Sequence, residues 1–383
     1  MNSPLISSDS RIFTSPRSII EYTRKNNLIN LAESSSALHA NNELINSLQG
    51  YTKEYSNQRS PKFGTIELRE FIANHTKKLY DYNYCPQKEI TITAGIKQAV
   101  FSAILALIKE GDDVVIFEPT HQSYKTAINI VGANAVYVPL KQPSFEVNWD
   151  DVQKVITPNT RMIIINTPQY PTGSIFTELD MLRLQKVING TNVIIVSDES
   201  FEQVLFDGNM QQSVCLYPKL QKKSIIVSSF SESLLIPNWN ISYCSAPEHY
   251  MKSIRKVLAS MSEGVPLPCQ MAANNYLQKQ GYDSSLFKTY QDKRDQLLLG
   301  LDDTEIKLIP SMGTYFQLIN IESLTSKNDV DFAIELMEKH GLATMPTSFY
   351  YHQKVKSKHL RLNISVGEKD LEAAIEVLNK VAK

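Results

Sequence analysis

The residues of this sequence best suited to chemistry fall in a few short loops. They are Gly95, the turn Glu118-Pro119-Thr120-His121, the stretch 166–173, the pair Asp198-Glu199 and the run 228–233. A glycine that opens a helix offers backbone N–H groups and the positive end of a helix dipole, which together attract a phosphate without any cation. A carboxylate such as Glu232 with an imidazole such as His121 can do general acid and base work. Each loop also has a plainer reading. Gly95 suits an ordinary strand-to-helix turn, Pro168, Pro171 and Gly173 are common turn residues, and a lone aspartate after a strand is more often a cap than a catalyst. No single loop is specific. Their order and spacing carry the information.

These loops need a frame that brings them together. The middle of the chain alternates short β-branched runs with amphipathic stretches: a strand at 90–93, a helix at 96–109, a strand at 113–117, a helix at 123–131 and a strand at 135–139. The continuous apolar run 162–165 has the mark of a strand buried on both faces. A helix at 181–189 and strands at 193–196 and 224–227 follow. Such alternation predicts an α/β fold with a mostly parallel central sheet and helices on both faces. In an open sheet of this kind ligands sit beyond the carboxyl ends of the strands, where the loops named above fall. From about Asp283 the pattern changes to a charged helix at 286–301, the motif Gly313-Thr314-Tyr315-Phe316, a helix at 329–340, a strand at 360–365 and a final helix. The division expected is an N-terminal arm contributing to a small domain (1–45), a large domain (46–282) and a smaller α+β domain (283–383). The arm is too long for a tail and should pack on the small domain or on a partner subunit.

Composition narrows the function class. With 383 residues, two domains are the natural prior. The formal net charge of −1, from 39 basic and 40 acidic residues, gives no overall field toward nucleic acid or anionic membrane. Cys85, Cys215, Cys244 and Cys269 are scattered without metal-ligand spacing, so no metal site is expected and buried thiols in a reducing cytoplasm fit best. The start Met1–Ser10 is polar, without a leader-like apolar core, and no apolar run approaches the ~20 residues a membrane helix needs. The expectation is a cytoplasmic protein.

The loops resemble one family when read in order. Thr93-Ala94-Gly95, Phe117-Glu118-Pro119, Asn166-Thr167-Pro168 with Pro171-Thr172-Gly173, Ser197-Asp198-Glu199 and Ser228-Ser229-Phe230 are similar to the anchors of fold-type I, pyridoxal-phosphate-dependent aminotransferases of class I/II. The kynurenine and methionine aminotransferase subgroup is nearest. Trp239, Tyr243-Cys244, Ala246-Pro247, Gly313-Thr314-Tyr315-Phe316 and Leu360-Arg361 extend the likeness to the C-terminus. The resemblance implies that Gly95, with Ile96 and Lys97 behind it, and Ser229 face a cofactor phosphate. It implies that Asp198 partners a pyridinium nitrogen and that Arg361 grips a substrate carboxylate through a bidentate fork. It also implies a homodimer with clefts at the subunit interface.

Several positions depart from that pattern. Glu232 stands where the family has its Schiff-base lysine, and no lysine occurs between Lys223 and Lys252. Asn240 replaces a phosphate-pairing cation, Tyr170 an asparagine that contacts the ring hydroxyl, Phe201 a tyrosine, and His121 the ring-stacking aromatic. Arg59 replaces the tyrosine that reaches the partner's phosphate. At an effective dielectric near 20, each such unit charge within ~4 Å carries about 4 kcal/mol. Losing cations and adding an anion should therefore leave pyridoxal phosphate bound weakly or not at all, without a covalent internal aldimine. Lys97 and Arg59 return some positive charge. The expected ligand of the old cofactor cleft is a small carboxylate or amino-acid-like molecule, with Glu232 and His121 as acid/base groups. Alternatives are a non-catalytic chain pairing with an active paralogue, and an ordinary aminotransferase. Arg361 facing Glu232 as a neutralising pair is a further alternative to a ligand-binding Arg361.

Overall fold

A computed structural model of the chain describes residues 13–382; the polar start Met1–Ser10 lies outside the described residues. Seven strands form the central sheet: β1 (Ile90–Ala94), β2 (Asp113–Glu118), β3 (Asn134–Pro139), β4 (Thr160–Asn166), β5 (Ile194–Asp198), β6 (Ser224–Ser229) and β7 (Ile241–Ser245). Their spatial order is β1-β7-β6-β5-β4-β2-β3. Only β7 runs against the rest, antiparallel to both β1 and β6. The expected α/β architecture with a mostly parallel sheet is present.

The apolar run in β4 shows why the sheet is covered on both sides. Met162, Ile163, Ile164 and Ile165 are all buried. Ile163 and Ile165 join one apolar cluster, while Met162 and Ile164 join another on the opposite face. Burying each such side chain contributes about 1.5–3 kcal/mol, so both faces favour this placement. The parallel register sets Asn166 opposite Asp198 at the carboxyl edge of β4 and β5. Two site residues thus meet through strand pairing alone.

A second sheet orders β8 (Lys307–Ile309), β9 (Phe316–Asn320), β10 (Met345–Pro346) and β11 (His359–Asn363) as β10-β11-β9-β8. Within it Leu318 lies opposite Arg361. The N-terminal helix Pro16–Asn26 packs Ile19 into a cluster with Met337 and Tyr350, and Ile29–Asn30 pairs in parallel with Leu342–Ala343. The described part of the N-terminal segment thus contacts this C-terminal part of the same chain. No helix among the described residues is long and apolar enough to cross a membrane.

Boundaries shift where capping decides them. The helix expected at 181–189 runs Glu178–Val187, because Thr177 and Asp180 form a capping box three residues earlier. The helix expected at 96–109 runs Gly95–Leu107, and the strand expected at 360–365 runs His359–Asn363. Helices Asn42–Glu54, Ile66–Tyr80, Glu248–Met261 and Leu267–Gln280, and strand β7, add to the elements expected from the sequence.

Candidate ligand-binding cleft

A cavity of about 200 Å³ opens beyond the carboxyl ends of β4 and β5. Its wall brings together Ile96, Lys97, His121, Tyr170, Asp198, Phe201 and Glu232, seven residues singled out from the sequence. Ser34, Ser123, Tyr124, Asn166 and Ser200 complete it. Tyr124 and Ser123 follow His121 on the same helix start, so their proximity was readable. Ser34 reaches the wall only through tertiary packing.

Asp198 is buried at the end of β5 and its carboxylate is already supplied with donors. The Tyr124 hydroxyl donates to Oδ2 and the Ser200 hydroxyl to Oδ1, and the Ser200 backbone N–H donates to Oδ1 at 3.2 Å. Burial pushes the Asp198 pKa up, and these hydrogen bonds from Ser200 and Tyr124 oppose the rise.

His121 is tied to the backbone of the helix it precedes. Its Nδ1 accepts the Ser123 N–H at 3.1 Å, capping Gln122–Ile130. Burial, and then the charge of Lys97, lower its pKa to about 4. The ring is therefore neutral at physiological pH, and with Nδ1 accepting, its proton belongs on Nε2. Lys97 itself is exposed at the mouth.

Glu232 sits in the one-turn helix Phe230–Ser233 that follows β6. The Tyr315 hydroxyl donates to its Oε2. Withdrawal from water raises the Glu232 pKa to about 6, with the Tyr315 hydrogen bond opposing. Phe201 packs edge-on against Tyr315 at 5.3 Å between ring centroids, which holds that hydroxyl in place.

Arg361 does not pair with Glu232. Its Nη1 donates to Tyr170 Oη at 2.7 Å, Ser34 Oγ at 3.1 Å and Tyr350 Oη at 3.1 Å. Its Nη2 donates to the Ala32 carbonyl and, at 2.9 Å, to the Glu33 carbonyl. The side chain is fully buried, 4.4 Å above the Phe316 ring, and its Nε lacks a partner. The alternative of a neutralising Arg361–Glu232 pair is thus corrected: tyrosine hydroxyls and the backbone of 32–33 satisfy the guanidinium, and Tyr315 satisfies the carboxylate.

The remaining site candidates lie off the cavity wall. Gly95 adopts φ +80, and a β-carbon built on it would lie 2.5 Å from Asn240 Oδ1, so the Asn240 carboxamide stands directly in front of this glycine. Ser229 Oγ accepts the Ser231 N–H at 3.0 Å and the Ser242 hydroxyl at 3.1 Å. Arg59 is exposed on the segment after helix Asn42–Glu54.

This fold and this cleft define an aminotransferase-type protein, and the chain belongs to the class I and II aminotransferase family, whose pattern matches residues 26–378. It is 32% identical over 335 residues to the methionine aminotransferase of Escherichia coli, covering 87% of each chain. It is 27% identical over 297 residues to a probable N-succinyldiaminopimelate aminotransferase of Mycobacterium tuberculosis, covering 77% and 75% of the two chains. A solved Escherichia coli structure identified with a methionine aminotransferase function superposes with a TM-score of 0.91 at 30% identity, over 98% of this chain and 100% of that one. The N-succinyldiaminopimelate aminotransferase from Mycobacterium tuberculosis superposes with a TM-score of 0.92 over 98% of this chain and 100% of that one, and at 24% identity this likeness speaks to the fold alone. Family resemblance supports pyridoxal phosphate as the cofactor of the group.

Proposed function

We propose that this chain keeps the aminotransferase fold but does not transaminate through a lysine aldimine, and that its cleft holds a small amine-bearing, amino-acid-like ligand without covalent attachment. The observation that carries this reading is Glu232, a carboxylate held by Tyr315 on the cavity wall at the place where the family resemblance puts an amine. Lys97, the one lysine on that wall, is exposed at the mouth.

The residues present do not fit a phosphate-bearing, covalently held pyridoxal. A neutral carboxamide, that of Asn240, stands 2.5 Å from where a β-carbon on Gly95 would lie, beside the helix start to which the family resemblance brings the cofactor phosphate. Asp198 already receives the Tyr124 and Ser200 hydroxyls, so a pyridinium is not needed to stabilise it. In this reading Arg361 is a clamp on residues 32–34 rather than a carboxylate grip, because its terminal nitrogens are engaged by protein acceptors. Fold does not dictate chemistry, and the site departs from the family where the chemistry would occur.

The family resemblance further supports a homodimer, with Arg59 on the segment that would cross between subunits. The deciding experiment is an absorbance spectrum with and without added pyridoxal phosphate, followed by borohydride reduction and peptide mass spectrometry. No aldimine band and no pyridoxyl adduct are expected. An adduct on Lys97 or any other lysine of the cleft would overturn the reading.

A further inference from the structure

Building on that reading, we infer that the cleft receives a primary ammonium carried on a small flat aromatic body, with Glu232 holding the cation and Tyr124, Tyr170, Phe201 and His121 enclosing the ring. Size argues first. A cavity of about 200 Å³ exceeds the ~150 Å³ that suffices for benzene, yet is below the ~300 Å³ where drug-sized pockets begin. One small ring with a short arm fits this space.

Charge argues next. The acidic and basic side chains on the wall, beside the neutral His121 ring, are Asp198 and Glu232 against Lys97, whose exposed ammonium is screened by solvent. Asp198 has donors on both oxygens, whereas Glu232 has a protein donor only on Oε2. Glu232 is thus the carboxylate with capacity left for a cationic N–H donor. The strongest fixed cation near the cleft is engaged: the Arg361 terminal nitrogens are held by residues 32–34 and two tyrosines.

The wall chemistry argues third. His121 and Tyr170 stand 5.8 Å apart between ring centroids at 48°, and Phe201 is braced against Tyr315 and Phe316. Aromatic faces beside a carboxylate suit a flat cation, because ring faces attract positive charge as well as apolar surface.

The test is calorimetric titration of the full chain with benzylamine, benzyl alcohol and benzoate at pH 7.5. Benzylamine is expected to bind at least tenfold more tightly than benzyl alcohol, and benzoate not measurably. Glu232→Gln should weaken benzylamine at least tenfold and leave benzyl alcohol within twofold, with a thermal melt confirming that the variant is folded. The wild-type ranking stands as a test even where that variant does not fold. Equal binding of amine and alcohol, tighter binding of benzoate, or no binding by any of the three would overturn the inference. These outcomes are independent of the pyridoxal spectrum: an aldimine band would sink the lysine-free reading, and the amine-over-alcohol ranking judges the ligand class separately.

Discussion

Arg361 Nη1 and Tyr170 Oη lie 2.7 Å apart, joining β11, the last of the described strands, to the loop after β4. Tyr170 lines the cleft while Arg361 is fully buried behind it. The guanidinium thus shapes the wall from outside, through Tyr170 and Ser34, without presenting its charge to the cavity.

Removing Arg361 should therefore damage the fold first. Arg361→Ala leaves the Ala32 carbonyl without its donor, leaves the Glu33 carbonyl only the Asn363 carboxamide, and empties a packed site over Phe316. A loss of about 3 kcal/mol or more is expected. Adding Glu232→Gln should change stability only by what that substitution does alone, because the two side chains have separate partners and their effects should add. Thermal melts of both single variants and the double variant check this, and recovery in the double variant beyond the gain of Glu232→Gln alone would show that the two groups are coupled after all.

Glu232 should tilt the pH dependence of stability. Its folded pKa of about 6 lies above the ordinary 4.5, so the folded state holds the proton more tightly. Stability linked to this group is present below pH 4.5 and is lost as pH rises through about 6. At about 1.36 kcal/mol per pH unit the window is worth about 2 kcal/mol. Glu232→Gln should melt increasingly above wild type as pH goes from 4.5 to 7, and a constant difference across that range would contradict the assignment.

Opening the Gly95 space should recover affinity for phosphate esters. Asn240→Arg withdraws the carboxamide from in front of Gly95 and adds a cation there. Pyridoxal phosphate is expected to bind this variant about tenfold more tightly than wild type, still without an aldimine. Titration followed by protein fluorescence measures it; submicromolar binding by the wild type would mean that Asn240 is no obstacle.

The assembly state is a separate matter of size. Light scattering should give twice the 43.4 kDa of one chain. A monomer at micromolar concentration would remove the expected interface at Arg59.

The sequence carried much of this arrangement in particular places. The run 162–165 declared a doubly buried strand because four apolar residues in succession leave no solvent face. Strand β7 was opaque: Ser242 and Ser245 are fully or nearly fully buried in it, and small polar residues blur an apolar pattern that neighbouring strands enforce. Within the cleft, Asp198, His121, Tyr170, Phe201 and Glu232 were named through loop order and the family resemblance, and they share the cavity wall. The hydroxyls of Tyr124, Ser200 and Tyr315 that now occupy the carboxylates did not, since hydrogen-bond partners are set by tertiary approach. The same limit hid the fate of Arg361, whose acceptors lie over 300 positions away at Ala32 and Glu33.

That separation bears on how the chain matures during synthesis. Residues 32–34 are translated early, yet the guanidinium that fixes them belongs to one of the last strands made. The carboxyl edge of the large sheet can form as the ribosome proceeds, but Ser34 cannot take its place on the cleft wall until β11 has emerged. A chain cut short before Arg361 would carry Asp198 and Glu232 in a cleft whose Ser34 wall lacks its clamp, so this wall is completed only when two segments more than 300 positions apart have met.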